Sequence, residues 1–266
     1  MASNPVAERK PFTPEWRVLV GLGVLLILSA WLFFDIVDDM VIDDPLVPAD
    51  AMTFATLRAL RTPGLDSLMI TVTEAGDTLV TLVVTLAVAA WLAREKAWRA
   101  MIYWLTAIAG GSAISSAVKL ALRRPRPVEM YHSGWDQFSF PSGHSTVNLV
   151  IYGFLVIIVA RQLAPLWRVV TAAAALALVS IIAFSRLYLG AHWLSDVCGG
   201  LAFGTMWLAC LAILYLRRAP ENVSPRGLLF VTLAALTLGA VIDIGLNRHS
   251  DTIRYAVRPT ALQAPK

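Results

Sequence analysis

The chain has 266 residues, of which 58% are hydrophobic and only 15% charged, with a mean hydropathy of +0.67. That is too apolar for a water-soluble domain of this length, and it makes a multi-spanning membrane protein the expected class. The formal net charge of +4 is carried in short clusters rather than a basic tail, which argues against nucleic acid as a partner.

Uncharged runs occur at Val18–Phe34, Thr78–Ala93, Ala100–Val118, Ser145–Ala160, Val169–Ser185, Val197–Leu216 and Gly227–Ile242. A bilayer core is about 30 Å thick and takes about 20 helical residues, so each run with its flanks can cross. The runs are continuous rather than alternating, which excludes a β-barrel and leaves helices. The expected fold is therefore all-α: a polytopic transmembrane bundle with a six-helix core and a seventh, C-terminal span. Arg9, Lys10 and Arg17 precede the first run as they would in a signal sequence. No small-x-small cleavage site follows, so a retained anchor helix is expected.

The stretch Asp35–Asp66 is too long for a tight turn. Its acids, Asp38, Asp39, Asp43 and Asp44, match no metal-loop spacing and suggest a solvated loop. Within it, Met52–Arg61 is weakly amphipathic, with Phe54, Leu57 and Leu60 on one face, and is expected to lie flat at the outer interface. Glu74 and Asp77, before the second span, are expected to cap a helix or pair with a cation rather than line a headgroup entry. Gly110, Gly111, Ser112, Ser115 and Ser116 are expected to let helices approach closely. His132 falls in a loop and is expected to be solvated. Tyr188 and Trp193 suit an interfacial aromatic belt. Cys198 and Cys210 share one apolar run and suggest packing, not a disulfide or a metal site. The tail Asn247–Lys266 has no apolar period and is expected to be flexible. The natural divisions are residues 1–65 (anchor helix and loop), 66–218 (core) and 219–266 (extra span and tail).

Cationic loops set the orientation. Arg9, Lys10 and Arg17, then Arg94, Lys96 and Arg99, then Arg161 and Arg168, then Arg217, Arg218 and Arg226 all fall on one face if every run crosses once. That face is expected to be cytoplasmic.

Three motifs lie at the opposite ends of the spans. Lys119 ends the third span, and Arg123-Arg124-Pro125-Arg126-Pro127 cannot continue a helix, because proline removes a donor and clashes with the preceding turn. Lys119 and Arg126 can then converge on phosphate oxygens. Arg123 and Arg124 are expected to snorkel or meet lipid headgroups. Pro141-Ser142-Gly143-His144 opens the fourth span, where unpaired N–H groups and the helix dipole form an anion site. Gly143 allows close approach, Ser142 adds a hydroxyl, and His144 stands within reach of a leaving oxygen. Ser185-Arg186 ends the fifth span, and Gly190 permits the reversal into the sixth. His192 and Asp196 are four apart and share a helical face, so Asp196 can orient one ring nitrogen and leave the other as nucleophile. Spacing alone does not decide which histidine attacks; only the Asp196 partner favours His192.

Together the motifs describe a pocket that binds a phosphate and attacks it with a histidine. From about Asp66 to Arg218 the sequence resembles the type-2 phosphatidic acid phosphatase superfamily of integral membrane lipid phosphatases, with all three signature motifs intact. The resemblance implies a cofactor-free, metal-independent hydrolase. His192 would form a phosphohistidine, Asp196 would orient it, and His144 would act as general acid. Lys119, Arg126, Ser142, Gly143 and Arg186 would hold the phosphate. It implies a lipid phosphate substrate such as a polyprenyl diphosphate, phosphatidylglycerol phosphate or phosphatidic acid, the first slightly favoured because a site on the outer face of the inner membrane suits carrier-lipid recycling. A lipid phosphotransferase, or a non-enzymatic lipid or anion transporter, are the competing readings; a transporter would not need both histidines and Asp196.

Overall fold

The structure, a computed structural model, describes residues 16–42, 46–128 and 137–256. Nine helices are described: α1 (Trp16–Ile42), α2 (Leu46–Ala59), α3 (Pro63–Glu74), α4 (Thr78–Arg94), α5 (Trp98–Leu122), α6 (Gly143–Ala160), α7 (Pro165–Tyr188), α8 (Leu194–Leu216) and α9 (Pro225–Arg254). No β-strand occurs among the described residues; an isolated bridge joins Pro125 to Phe138. Seven helical stretches are long and apolar enough to span a bilayer: α1, the nearly continuous α3–α4, and α5 to α9. Each of the seven expected runs lies within one of them.

α6 is central, packed on α5, α7 and α8, while α1 flanks α8 and α9 flanks α4. The core draws Val88 and Leu92 from α4, Trp104 from α5, Ile151 and Phe154 from α6 and Leu228 from α9, all fully buried. The Trp104 indole N–H donates to the Thr85 carbonyl at 3.0 Å, so its burial strands no polar group. Outside, Trp31, Phe34, Val169, Phe230 and Leu233 are more than half exposed. Such a surface would drive aggregation in water, whereas hydrocarbon surrounds it at no cost.

Three expectations need correction. The stretch after the first span is largely helical, because α1 runs on to Ile42 and α2 begins at Leu46. Asp50 there is buried rather than solvated, since it meets an arginine described below. Asp43, Asp44 and His132 lie outside the described residues. Met52–Arg61 largely coincides with α2, whose Phe54 ring sits 5.8 Å from that of Trp193. The third correction concerns the tail: α9 continues through Asn247 to Arg254, and Tyr255 is buried. Its last turns are polar because their partner is polar. Arg248 donates to Ser67 Oγ at 2.6 Å, Thr71 Oγ1 at 2.9 Å and Glu74 Oε2 at 3.2 Å, all on α3. Glu74 thus pairs with Arg248, not with a motif cation.

The glycines Gly110 and Gly111 do lie against a neighbour, the Trp207 ring. Ser112, Ser115 and Ser116 instead line a cavity. Cys198 and Cys210 are unbonded thiols.

Candidate active site

α5 ends where Arg123 enters the left-handed region (φ 49°) and returns its N–H to the Lys119 carbonyl at 2.9 Å. Pro125 then forbids further helix. The turn leaves Lys119 buried on the last turn of α5 and swings Arg126 toward the start of α8. Arg126 Nη1 donates to the Ala191 carbonyl at 2.7 Å and meets His192 Nε2 at 3.1 Å.

α6 begins at Gly143 with Ser142 as its cap, the Ser142 hydroxyl accepting the Ser145 N–H at 3.4 Å. Ser142 is fully buried and also accepts from Ser145 Oγ at 3.0 Å, so it shapes the helix start and does not line the cavity. A β-carbon on Gly143 would stand 3.8 Å from Lys119 Nζ, so the bare backbone at the start of α6 and the ammonium lie side by side on the cavity wall, where both can meet one anion. The start of α6 is fixed to α8. Ser142 N–H donates to the Asp196 carbonyl at 3.0 Å, and a β-carbon on Gly200 would come within 2.8 Å of the Ser142 carbonyl. Only glycine permits that approach.

α7 delivers Arg186, 1% exposed, from its last turn. Arg186 Nη1 donates to Thr73 Oγ1 at 2.7 Å and to the Tyr255 hydroxyl at 2.8 Å, and the Tyr255 ring lies 5.5 Å from the guanidinium carbon. Gly190, at φ +69°, turns the chain back, as its place in the sequence suggested.

His192 follows that turn. Its Nδ1 lies 3.3 Å from Asp196 Oδ2, and its Nε2 faces Arg126. Arginine can only donate, so the hydrogen-bond partners assign the tautomer: Nε2 accepts and Nδ1 carries the proton toward Asp196. Burial first, then the charges of Arg126, Arg186 and Lys119, hold the His192 pKa well below the ordinary imidazole value. Nε2 therefore keeps its lone pair.

Asp196 is fully buried behind His192 and fully engaged. Its Oδ2 also accepts the Trp193 N–H at 2.9 Å, and its Oδ1 accepts from Arg124 Nη1 at 2.6 Å and Ser139 Oγ at 3.3 Å. Arg124 bridges on to Asp50 Oδ2 at 2.6 Å, and Asp50 in turn accepts from the Ser195 N–H at 2.9 Å and the Ser195 hydroxyl at 2.6 Å. Arg124 is thus an internal strut between α2 and α8, not the snorkelling side chain expected.

His144 stands opposite on the first turn of α6, its Nε2 3.2 Å from Asp77 Oδ1. The contact lacks hydrogen-bond alignment, and this Nε2 is buried without another partner. Asp77 does not cap α4 with its side chain; it meets His144 at the cavity wall. The cavity, about 350 Å³, is lined by Lys119, Arg126, Gly143, His144, Arg186 and His192 among others. Of the eight residues proposed from sequence, six meet there, and Asp196 and Ser142 stand one layer behind. Among the described residues, no three His, Cys, Asp or Glu are grouped to hold a metal ion.

Residues 99–220 match the PAP2 superfamily, and these residues carry all three motifs. The match covers just under half of the chain. Similar proteins include a lipid A 1-phosphatase of Rhizobium etli, 31% identical over 47% of this chain and 56% of the relative. Phosphatidylglycerophosphatase B of Bacillus subtilis is 27% identical over 67% of this chain and 89% of its own length. The chain spans just over half the length of the lipid A 1-phosphatases it matches. The PAP2 fold is shared with the crystal structure of a transmembrane phosphatidylglycerolphosphate phosphatase from Bacillus subtilis. The TM-score is 0.59 at 22% identity, covering 69% of this chain and 93% of that one. Thr73, Asp77 and Tyr255 lie outside the PAP2 match, yet two of them hold Arg186 and the third faces His144.

Proposed function

We propose that the chain is a membrane lipid phosphatase that removes the terminal phosphate of a lipid phosphate or diphosphate through a phosphohistidine. The observation that carries this is the pairing of His192 with Asp196, its Nε2 presented to a cavity lined by Lys119, Arg126 and Arg186. The His192 Nε2 lone pair attacks phosphorus in line, the P–O bond to the leaving oxygen breaks, and His144 supplies that oxygen with a proton. Water then attacks the P–N bond, His144 takes its proton, and phosphate and neutral His192 are regenerated. Asp196 stabilises the charge that the ring acquires in between. The three cations and the N–H groups at the start of α6 stabilise the charge spread over the phosphoryl oxygens. Arg126 exchanges its contact with Nε2 for the incoming phosphate.

Arg94, Lys96, Arg99, Arg161, Arg168, Arg217, Arg218 and Arg226 all sit at the helix ends away from the cavity. By the positive-inside rule the cavity then opens to the outer face of the inner membrane.

Purified protein in detergent is expected to release phosphate from at least one of polyprenyl diphosphate, phosphatidylglycerol phosphate and phosphatidic acid with chelator present. Release from none of them would overturn the phosphatase reading. Activity lost with chelator and restored by magnesium would overturn the metal-free step. Tyr255→Phe removes one acceptor from Arg186 while keeping the ring. A hydrogen bond to a charged group contributes about 1.5–3 kcal/mol, so KM is expected to rise about tenfold or more with kcat changed less. An unchanged KM would show that Thr73 alone suffices to aim Arg186.

A further inference from the structure

The cavity is deeper than a phosphate needs. Ser112, Ser115, Ser116 and Lys119 are spaced i, i+3, i+4 and i+7, so they share one face of α5, and the face runs about 10 Å from the phosphate end into the bundle. Thr78 and Thr81 of α4 line the same cavity. Val147 is the one large apolar side chain among its lining residues. Ser115 is 3% exposed, and its hydroxyl has no hydrogen-bond partner. A buried polar group left unpaired is costly, and most serines in helices avoid the cost by bonding back to a carbonyl. Thr81 does so, donating to the carbonyls of Asp77 and Thr78 at 3.0 Å. Ser115 does not, and a ligand group in the cavity would satisfy it.

Resting on the phosphatase reading above, we infer that this hydroxyl-lined recess is a headgroup subsite. It takes a hydroxylated group, glycerol or sugar, that carries the scissile phosphate. Three features select that chemistry. A hydrocarbon tail gains nothing from a wall of hydroxyls, and a volume of about 350 Å³ lies near the small end of ligand sites, room for a headgroup and its phosphate. A second phosphate is disfavoured because the motif cations cluster at the phosphate end while the recess wall from Thr78, Thr81, Ser112, Ser115 and Ser116 carries no charge. Arg254 also reaches the wall, but it is tied to Asp251 at 2.6 Å. A neutral polyol fits best: its hydroxyls exchange hydrogen bonds with those of the serines, and a site built for hydroxyls discriminates strongly against analogues lacking them.

Two non-hydrolysable probes differing only in hydroxyls test this: propylphosphonate and 2,3-dihydroxypropylphosphonate, titrated calorimetrically into the detergent-solubilised protein. The dihydroxy probe is expected to bind about tenfold tighter to the wild type, the equivalent of one or two net hydrogen bonds. Ser115→Ala and Ser112→Ala are each expected to shrink that ratio to about threefold or less. Equal binding of the two probes by the wild type, or a ratio that survives both substitutions, overturns the subsite while leaving the phosphatase reading intact. If Ser115→Ala does not fold, the wild-type ratio and Ser112→Ala decide. Binding of neither probe removes the phosphate site itself, and the subsite with it. Relative kcat/KM for phosphatidylglycerol phosphate and a glycosyl 1-phosphate lipid, each against phosphatidic acid, then tells glycerol from sugar. A preference for neither over phosphatidic acid also counts against the subsite.

Discussion

Phosphate release by the His192→Ala variant is expected to fall by about 10⁴-fold or more, to the rate supported by phosphate binding and charge stabilisation alone. The loss is total for the covalent route, because no other side chain in the cavity has both a lone pair and a carboxylate behind it. His144 also meets a carboxylate, but through Nε2 at 3.2 Å without hydrogen-bond alignment, so Asp77 does not orient that ring as Asp196 orients His192. Folding should survive, since Arg126 keeps the Ala191 carbonyl and Asp196 keeps Arg124, Ser139 and the Trp193 N–H. Phosphate release measured alongside thermal stability in detergent separates the two effects. A variant that stays folded and retains more than about a tenth of wild-type activity would remove His192 from the nucleophile's role.

The wild-type pH profile supplies an independent reading of the same residue. The depressed His192 pKa means the ring stays neutral as pH falls through its ordinary value near 6.5, and becomes protonated only well below it. The His192 limb of kcat/KM, corrected for titration of the substrate phosphate, is therefore expected on the acid side of 6.5. A limb at or above that value would contradict the burial and cation crowding around the ring.

The parts of the site legible in sequence were those fixed by helix ends. Proline after Lys119, Pro-Ser-Gly before His144, and Gly190 between Arg186 and His192 each dictate where a helix stops or starts. Hydropathy placed all those ends on one side. The spans were equally legible, because an uncharged run needs no partner to identify it. What stayed hidden were side chains whose role depends on a distant partner. Arg124 lies in a basic cluster that looks interfacial, and only the fold brings it to Asp50 and Asp196, 74 and 72 positions away. Asp50 lies in the stretch whose other acids suggested a solvated loop. Tyr255 sat in a stretch judged by its lack of apolar period, yet Asp243, Asn247, Asp251 and Arg254 repeat at helical spacing, a polar period that would have extended α9. The serines of α5 were read as small residues for helix packing. They line the cavity instead.

Arg124→Ala is expected to destabilise the protein by about 3–5 kcal/mol, the range for removing one partner of a buried ion pair. The magnitude follows from what remains. Asp196 is fully buried and Asp50 is 3% exposed, so deleting the guanidinium leaves two carboxylates with no cation between them in a low-dielectric setting. The same change should lower activity, because Arg124 holds Asp196 Oδ1 while Oδ2 faces His192, and a tilted carboxylate no longer orients the ring. Arg124→Lys keeps the charge but cannot span two carboxylates with a planar fork, so it is expected to recover only part of the stability. Combining Arg124→Ala with Asp50→Asn sharpens the test. If charge burial dominates, the double variant is more stable than the sum of the single losses predicts, since one of the stranded charges is gone. Unfolding midpoints in detergent measure the wild type, Arg124→Ala, Arg124→Lys, Asp50→Asn and the double variant. A loss below about 1 kcal/mol for Arg124→Ala would place the guanidinium in solvent-screened contact and return it to the interfacial role its sequence suggested.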